Sequence, residues 1–224
     1  MKVAIVMSRL SNGGLERVQS NLAHAFCARG VDTTVAAGRI LHRQAGGFPP
    51  ATAIVEIARN GPQSFPLGLY RFLDRTRPDC VFTTSNDAAC LAVALKRLFF
   101  QRMRVIATHH LSLSGPLNQS RGSQRMKLLA IRAIMRGLLP AADGCVAVTQ
   151  QVADDLVDQV GLDAARIRVI HNPIVGDDVE RLVHHGRQFL LRVHQGDLLV
   201  EIGEHAATAS PWRLCLDRSP HLFQ

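Results

Sequence analysis

KVAIVMSRLSNGGLERVQSNLAHAFCARGVDTTVAAG, from Lys2 to Gly38, is the stretch on which the fold turns. KVAIVM is apolar without alternation, as a strand buried on both faces requires. SNGG then breaks the run. From Gly14 to Arg29, Leu15, Val18, Leu22, Ala25 and Phe26 recur at helical spacing, and Gly30 is a natural residue to end the helix. TTVAAG from Thr33 is a second apolar run. Strand, helix and strand in this order make a parallel crossover unit.

The alternation continues outward from it. TAIVEI (from Thr52), CVFTT (from Cys80), RVIAT (from Arg104), CVAV (from Cys145) and IRVI (from Ile167) read as further strands. Helices are expected over Phe65–Arg75 with its exit marked by Pro78, over Asp87–Phe100 capped by Ser85 or Asn86, over Gln124–Leu139 before Pro140, and over Gln150–Val160. Leu111–Ser123, rich in Ser, Gly, Pro and Asn, reads as a loop. The fold class is therefore α/β, a Rossmann-like doubly wound parallel sheet over residues 1–175.

The chain has 224 residues, enough for one α/β domain and a short appendage. An apolar fraction of 47% with 20% charged residues excludes a disordered chain. The net charge of +8 is unevenly placed: up to Val175 there are 21 Lys and Arg against 11 Asp and Glu, and beyond it 5 against 7. A surplus of this kind favours anionic partners. The opening apolar stretch is too short for a secretory signal, so a cytoplasmic location is expected, with peripheral contact at the inner membrane face as a further expectation. Cys27, Cys80, Cys90, Cys145 and Cys215 form no C-x-x-C pair and read as free, mostly buried thiols.

Ligands of open α/β sheets sit outside the carboxyl ends of the strands, and three features fall there. Gly13 and Gly14 follow the first strand, where they let a phosphate or sugar hydroxyl approach outward-pointing amides at a helix start; a tight turn with a cap accounts for them equally. The third glycine and the acidic residue of a dinucleotide fingerprint are missing, so a nucleotide-dependent oxidoreductase is not supported. His109 and His110 end the strand from Arg104, where a neutral imidazole can orient a hydroxyl or share a proton. A third feature is the turn at Thr149. No catalytic-triad spacing or metal cluster accompanies them, and neither metal nor cofactor is expected. Separately, Lys96–Arg104 and the helix carrying Arg121, Arg125, Lys127, Arg132 and Arg136 set cations beside apolar groups, either as a solvated face or as a surface for anionic lipid.

GGLERVQSNLAHAFCARGVDTTV (Gly13–Val35), ADGCVAVTQQVADDL (from Ala142) and RIRVIHNPIV (from Arg166) together resemble, in order and spacing, three landmarks of the group 1 retaining glycosyltransferases of GT-B architecture. The resemblance covers nearly all of residues 1–175. It implies an acceptor-binding domain facing a donor-binding domain across a cleft. By position, Gly13 and Gly14 match the loop over the donor phosphate and reacting sugar, and His109 the histidine that contacts the transferred sugar, with His110 the alternative. Thr149 stands where the family's turn usually has serine, and Asn172 with Pro173 matches the interdomain crossover. The implied partners are a nucleotide-sugar donor and a glycan or lipid-linked acceptor, as in cell-envelope polysaccharide synthesis; nucleic acid is not among them. A non-catalytic module with a basic face for anionic lipid or nucleic acid is the alternative, although one Tyr and one Trp provide few stacking platforms.

After Val175 the resemblance stops. Residues 176–224 lack the family's donor-site pattern and contain the only tryptophan, Trp212. A shifted reading frame or a short helical extension over Asp178–Val193 are the two expectations for this tail. On either, donor binding is weak or lost, and independent transferase activity is not expected.

Overall fold

The computed structural model describes residues 1–11, 13–41 and 47–172. The expectations for the tail and the thiol of Cys215 lie outside the described residues. Met1–Asn172 forms one compact unit. Its strands are β1 (Lys2–Leu10), β2 (Asp32–Ile40), β3 (Ala53–Glu56), β4 (Cys80–Thr83), β5 (Arg104–His109), β6 (Gly144–Ala147) and β7 (Ile167–Val169). Its helices are α1 (Gly14–Cys27), α2 (Phe65–Thr76), α3 (Asn86–Leu98), α4 (Ser114–Gln119), α5 (Gly122–Leu138) and α6 (Gln150–Asp155). The strands form one parallel sheet in the order β3-β2-β1-β4-β5-β6-β7.

Both faces of this sheet are covered, which is why its strands carry few polar residues. Val3 to Met7 of β1 are at most 2% exposed. Side chains alternate between faces: Ala4 and Val6 join Val81, Val105 and Ala107 in one cluster with α2, α3, α5 and α6, while Val3, Ile5 and Met7 point the other way. On that second face Phe26 of α1 packs on Phe82 of β4 with ring centroids 5.1 Å apart. Cys80, Cys90 and Cys145 are buried free thiols and Cys27 is half-buried.

Local chemistry explains the ends of the elements. Gly30 takes φ +70° just beyond α1, and Gly161 takes φ +74° where the chain stops turning after α6. Before that stop, Leu156–Val160 widens from α to π turns, so the expected helix to Val160 is present with a changed pitch. The stretch expected as a loop over Leu111–Ser123 contains α4. Asp155 of α6, itself buried, accepts hydrogen bonds from the Leu113 amide and, at 3.2 Å, from the Ser114 amide, and so supplies from a distance the acceptor that the local sequence lacks.

Candidate functional site

All seven carboxyl ends share one edge of the sheet. At its middle, β1 pairs with β2 on one side and β4 on the other, and the chain leaves β1 toward α1 but β4 toward α3. Diverging exits from neighbouring strands open a crevice between their loops. The register aligns Val6, Thr83, Ala107 and Cys145, so two residues further on Ser8, Ser85, His109 and Ala147 stand at one level of this rim.

His109 is 1% exposed, and its Nδ1 lies 2.9 Å from Oδ1 of Asn86, the first residue of α3. A carboxamide oxygen only accepts, so this bond puts the ring proton on Nδ1 and leaves a lone pair on Nε2. Among the described residues Nε2 has no partner although it is buried. Burial, reinforced by the neighbouring His110, lowers the His109 pKa to about 4, and the ring is neutral at pH 7. His110 is likewise lowered to about 4 by burial, and neither of its ring nitrogens has a partner among the described residues. The hydroxyls of Thr83 and Thr84 at the end of β4 are also buried without one. Buried polar atoms are normally satisfied, so their concentration along this rim distinguishes it from the rest of the sheet.

A hydrogen-bonded chain runs across the crevice at the level of His109. The Ser8 hydroxyl lies 2.7 Å from that of Ser85 and donates to Asp87 Oδ2 at 2.7 Å, which ties β1 to the first turn of α3. Ser85 therefore sits at the cap position of α3, but its hydroxyl turns to β1 and not to a helix amide. Reading along the chain missed Ser8 and Asp87, and it took Ser85 and Asn86 only as caps. Nothing local marks them, since their partners are 77, 79 and 23 residues away.

The glycine loop departs from expectation. The Gly13 amide does not point outward; it donates to Glu16 Oε2 at 3.0 Å, and the Ser11 amide and hydroxyl donate to Oε1 at 2.9 and 2.6 Å. Burial of Glu16 raises its pKa, but these bonds outweigh it and hold the carboxyl below its ordinary value. The reason is helix chemistry: a carboxylate three residues in reaches back to the amides at the helix start. Gly13 has an extended backbone at φ −124°, and a Cβ on Gly14 would meet nothing within 4 Å. Neither position needs glycine for its backbone conformation.

Thr149 caps α6, accepting from the Val152 amide at 3.2 Å, and is exposed. The preceding Val148 donates its amide to the His109 carbonyl at 3.2 Å and accepts from the His171 ring at 3.1 Å. Asn172 follows β7, its Oδ1 buried without a partner among the described residues. With strands about 4.8 Å apart, the β1 exit to Gly13 and Gly14 and the β7 exit to Asn172 lie roughly 10 Å to either side of the β5 exit at His109, and Thr149 is one strand away. The structure thus brings the six positions to one rim. It joins only His109, through Val148, to the β6 and β7 ends by direct bonds.

The described chemistry is that of a crevice with a neutral imidazole acceptor at its centre, a glycine loop on one flank and hydroxyl, carboxamide and carboxylate groups around it. The same sheet occurs in the apo form of the lipopolysaccharide outer core galactosyltransferase WaaB, at 18% identity and TM-score 0.55 over 77% of this chain and 46% of that one. It occurs in Anabaena Alr3699/HepE in complex with UDP-glucose, at 16% identity and TM-score 0.55 over 83% and 49%. It also occurs in sucrose-phosphate synthase (tll1590) from Thermosynechococcus elongatus, at 16% identity and TM-score 0.58 over 76% and 48%. The chain spans about half the length of these structures, with the fold of the amino-terminal half of GT-B enzymes. No curated protein sequence matches it. The family model described as Glycosyltransferase Family 4 matches residues 12–177, three quarters of the sequence, and the chain belongs to that family.

Proposed function

We propose that this chain is the acceptor-side half of a glycosyltransferase that moves a hexosyl group from a nucleotide-diphospho-sugar to a saccharide or lipid-linked acceptor. The observation that carries the reading is the buried, neutral His109 with Nε2 unpartnered at the switch-point crevice. An imidazole held as an acceptor suits a sugar hydroxyl, and it can take up part of the positive charge as an oxocarbenium-like state develops. Gly13 and Gly14 would lie against the donor phosphate, with Gly14 supplying unobstructed approach. Ser8, Ser85 and Asp87 would order hydroxyls on the α3 side of the crevice. Synthesis of cell-envelope polysaccharide fits the description of WaaB as a lipopolysaccharide galactosyltransferase, and a UDP-sugar donor fits the UDP-glucose bound by HepE.

Diphosphate neutralisation would fall to a donor domain for which residues 1–175 hold no counterpart. Residues 1–175 then supply the acceptor side of the reaction and not the donor site. Titration of UDP-glucose against the purified chain by calorimetry tests this. Binding weaker than the millimolar range with no released UDP is the expected result. Micromolar binding with hydrolysis or transfer would overturn that division of labour, and loss of that binding in His109→Gln would still support the site.

A further inference from the structure

The sheet has two edges, and they are finished differently. β7 carries the exposed Arg168 at its centre, and a charge there keeps an edge strand solvated and unpaired. β3, at the other edge, reads Ala-Ile-Val-Glu, with no lysine, arginine or proline and with Ile54 39% exposed. Its one charge does not guard it: the Glu56 carboxylate turns back toward β2 and accepts the Ile40 amide at 3.1 Å. An unguarded apolar edge is a template for a further strand.

Backbone groups along β3 alternate in direction. Ile57 donates its amide to the Ala37 carbonyl at 2.8 Å, so Val55 and Ala53, two and four residues earlier, also turn theirs to β2. Ile54 and Glu56 then direct their backbone groups away from the sheet, as Thr52 does its carbonyl, and no strand among the described residues pairs with them. The set is self-complementary. Take a two-fold axis through Ile54, normal to the sheet. An antiparallel copy then places each Ile54 amide on the other copy's Ile54 carbonyl, and each Glu56 amide on the other copy's Thr52 carbonyl. The two Ile54 side chains stand directly opposite and cover each other.

Charge singles out the same edge. A net charge of +8 sets copies against each other wherever cations dominate, but from Gly47 to Pro62 there is one base, Arg59, and one acid, Glu56. β3 also lies two strands from β1, so pairing here leaves the crevice between β1 and β4 open.

We infer that two copies of this chain pair through their β3 edges into one continuous sheet, antiparallel at the junction and centred on Ile54. The inference does not depend on the transfer reaction. So short a strand buries little area, and dissociation is expected at about 10–100 µM, within reach of sedimentation equilibrium on the full chain. Ile54→Lys places a charge on the edge, and Ile54→Pro removes the outward amide while keeping an apolar side chain. Each should weaken association by about tenfold or more, with the far-ultraviolet circular dichroism of the parent. Met126→Glu with Ile134→Glu, on exposed residues of α5, should stay within about twofold of the parent. Ile54→Cys tests the register. Facing residues of a hydrogen-bonded antiparallel pair have Cα atoms about 5.5 Å apart, which suits a disulfide, so mild oxidation should link two copies of this variant. Ala53→Cys, whose counterpart stands two residues further along the junction, should stay at the level of the parent. A chain monomeric throughout, association that both Ile54 variants leave unchanged or that the α5 variant abolishes, or equal cross-linking at positions 53 and 54 would overturn the inference.

Discussion

Replacing His109 with Gln should remove part of the chain's loss of stability in acid. His109 ionises near 6.5 when unfolded and at about 4 in the fold, because burial excludes the charged ring. Between those values the unfolded chain binds a proton that the folded chain does not, so stability falls as pH falls through the window and is unaffected above about pH 7. At pH 5 the difference amounts to about 2 kcal/mol for this ring. Gln carries no titrating group and can still meet Asn86. At pH 7.5 the variant should be the less stable by about 1 kcal/mol for a weakened hydrogen bond. At pH 5 the gap should close or change sign, since the parent alone has lost the additional 2 kcal/mol. Urea unfolding followed by far-ultraviolet circular dichroism at the two pH values measures both gaps. If the difference between parent and variant is the same at pH 7.5 and pH 5 within about 0.5 kcal/mol, the ring is not held neutral by burial, and the reasoning about Nε2 fails with it.

Two other substitutions test the frame around the site. Asp155→Ala removes a buried acceptor from the Leu113 and Ser114 amides and should cost about 2–4 kcal/mol, lowering Tm by several degrees; a shift below about 1 °C would mean that α4 is not anchored through this carboxylate. Gly68→Ala should lower Tm despite the better helix propensity of alanine, because its Cβ would come within 1.8 Å of the Ile57 carbonyl oxygen; a rise in Tm would show that α2 has room to move there.

Much of the fold is legible along the chain because its causes are local. Apolar runs such as Val3–Met7 and helical spacing from Leu15 to Phe26 report burial on both faces and on one face respectively, and all seven strands and five of the six helices fall where such patterns place them. α4 is illegible for the opposite reason: the acceptor for its first amides is Asp155, 41 and 42 residues downstream.

The site divides along the same line. That the glycine loop, the histidines and the turn at Thr149 lie at strand ends follows from the order of elements, since parallel strands deliver every carboxyl end to one edge. That Glu16 occupies the Gly13 amide, that Asn86 orients His109, and that Ser8 joins Ser85 and Asp87 are outcomes of packing. A hydrogen bond acts over about 3 Å, and only the assembled sheet brings residues so distant in sequence within that range.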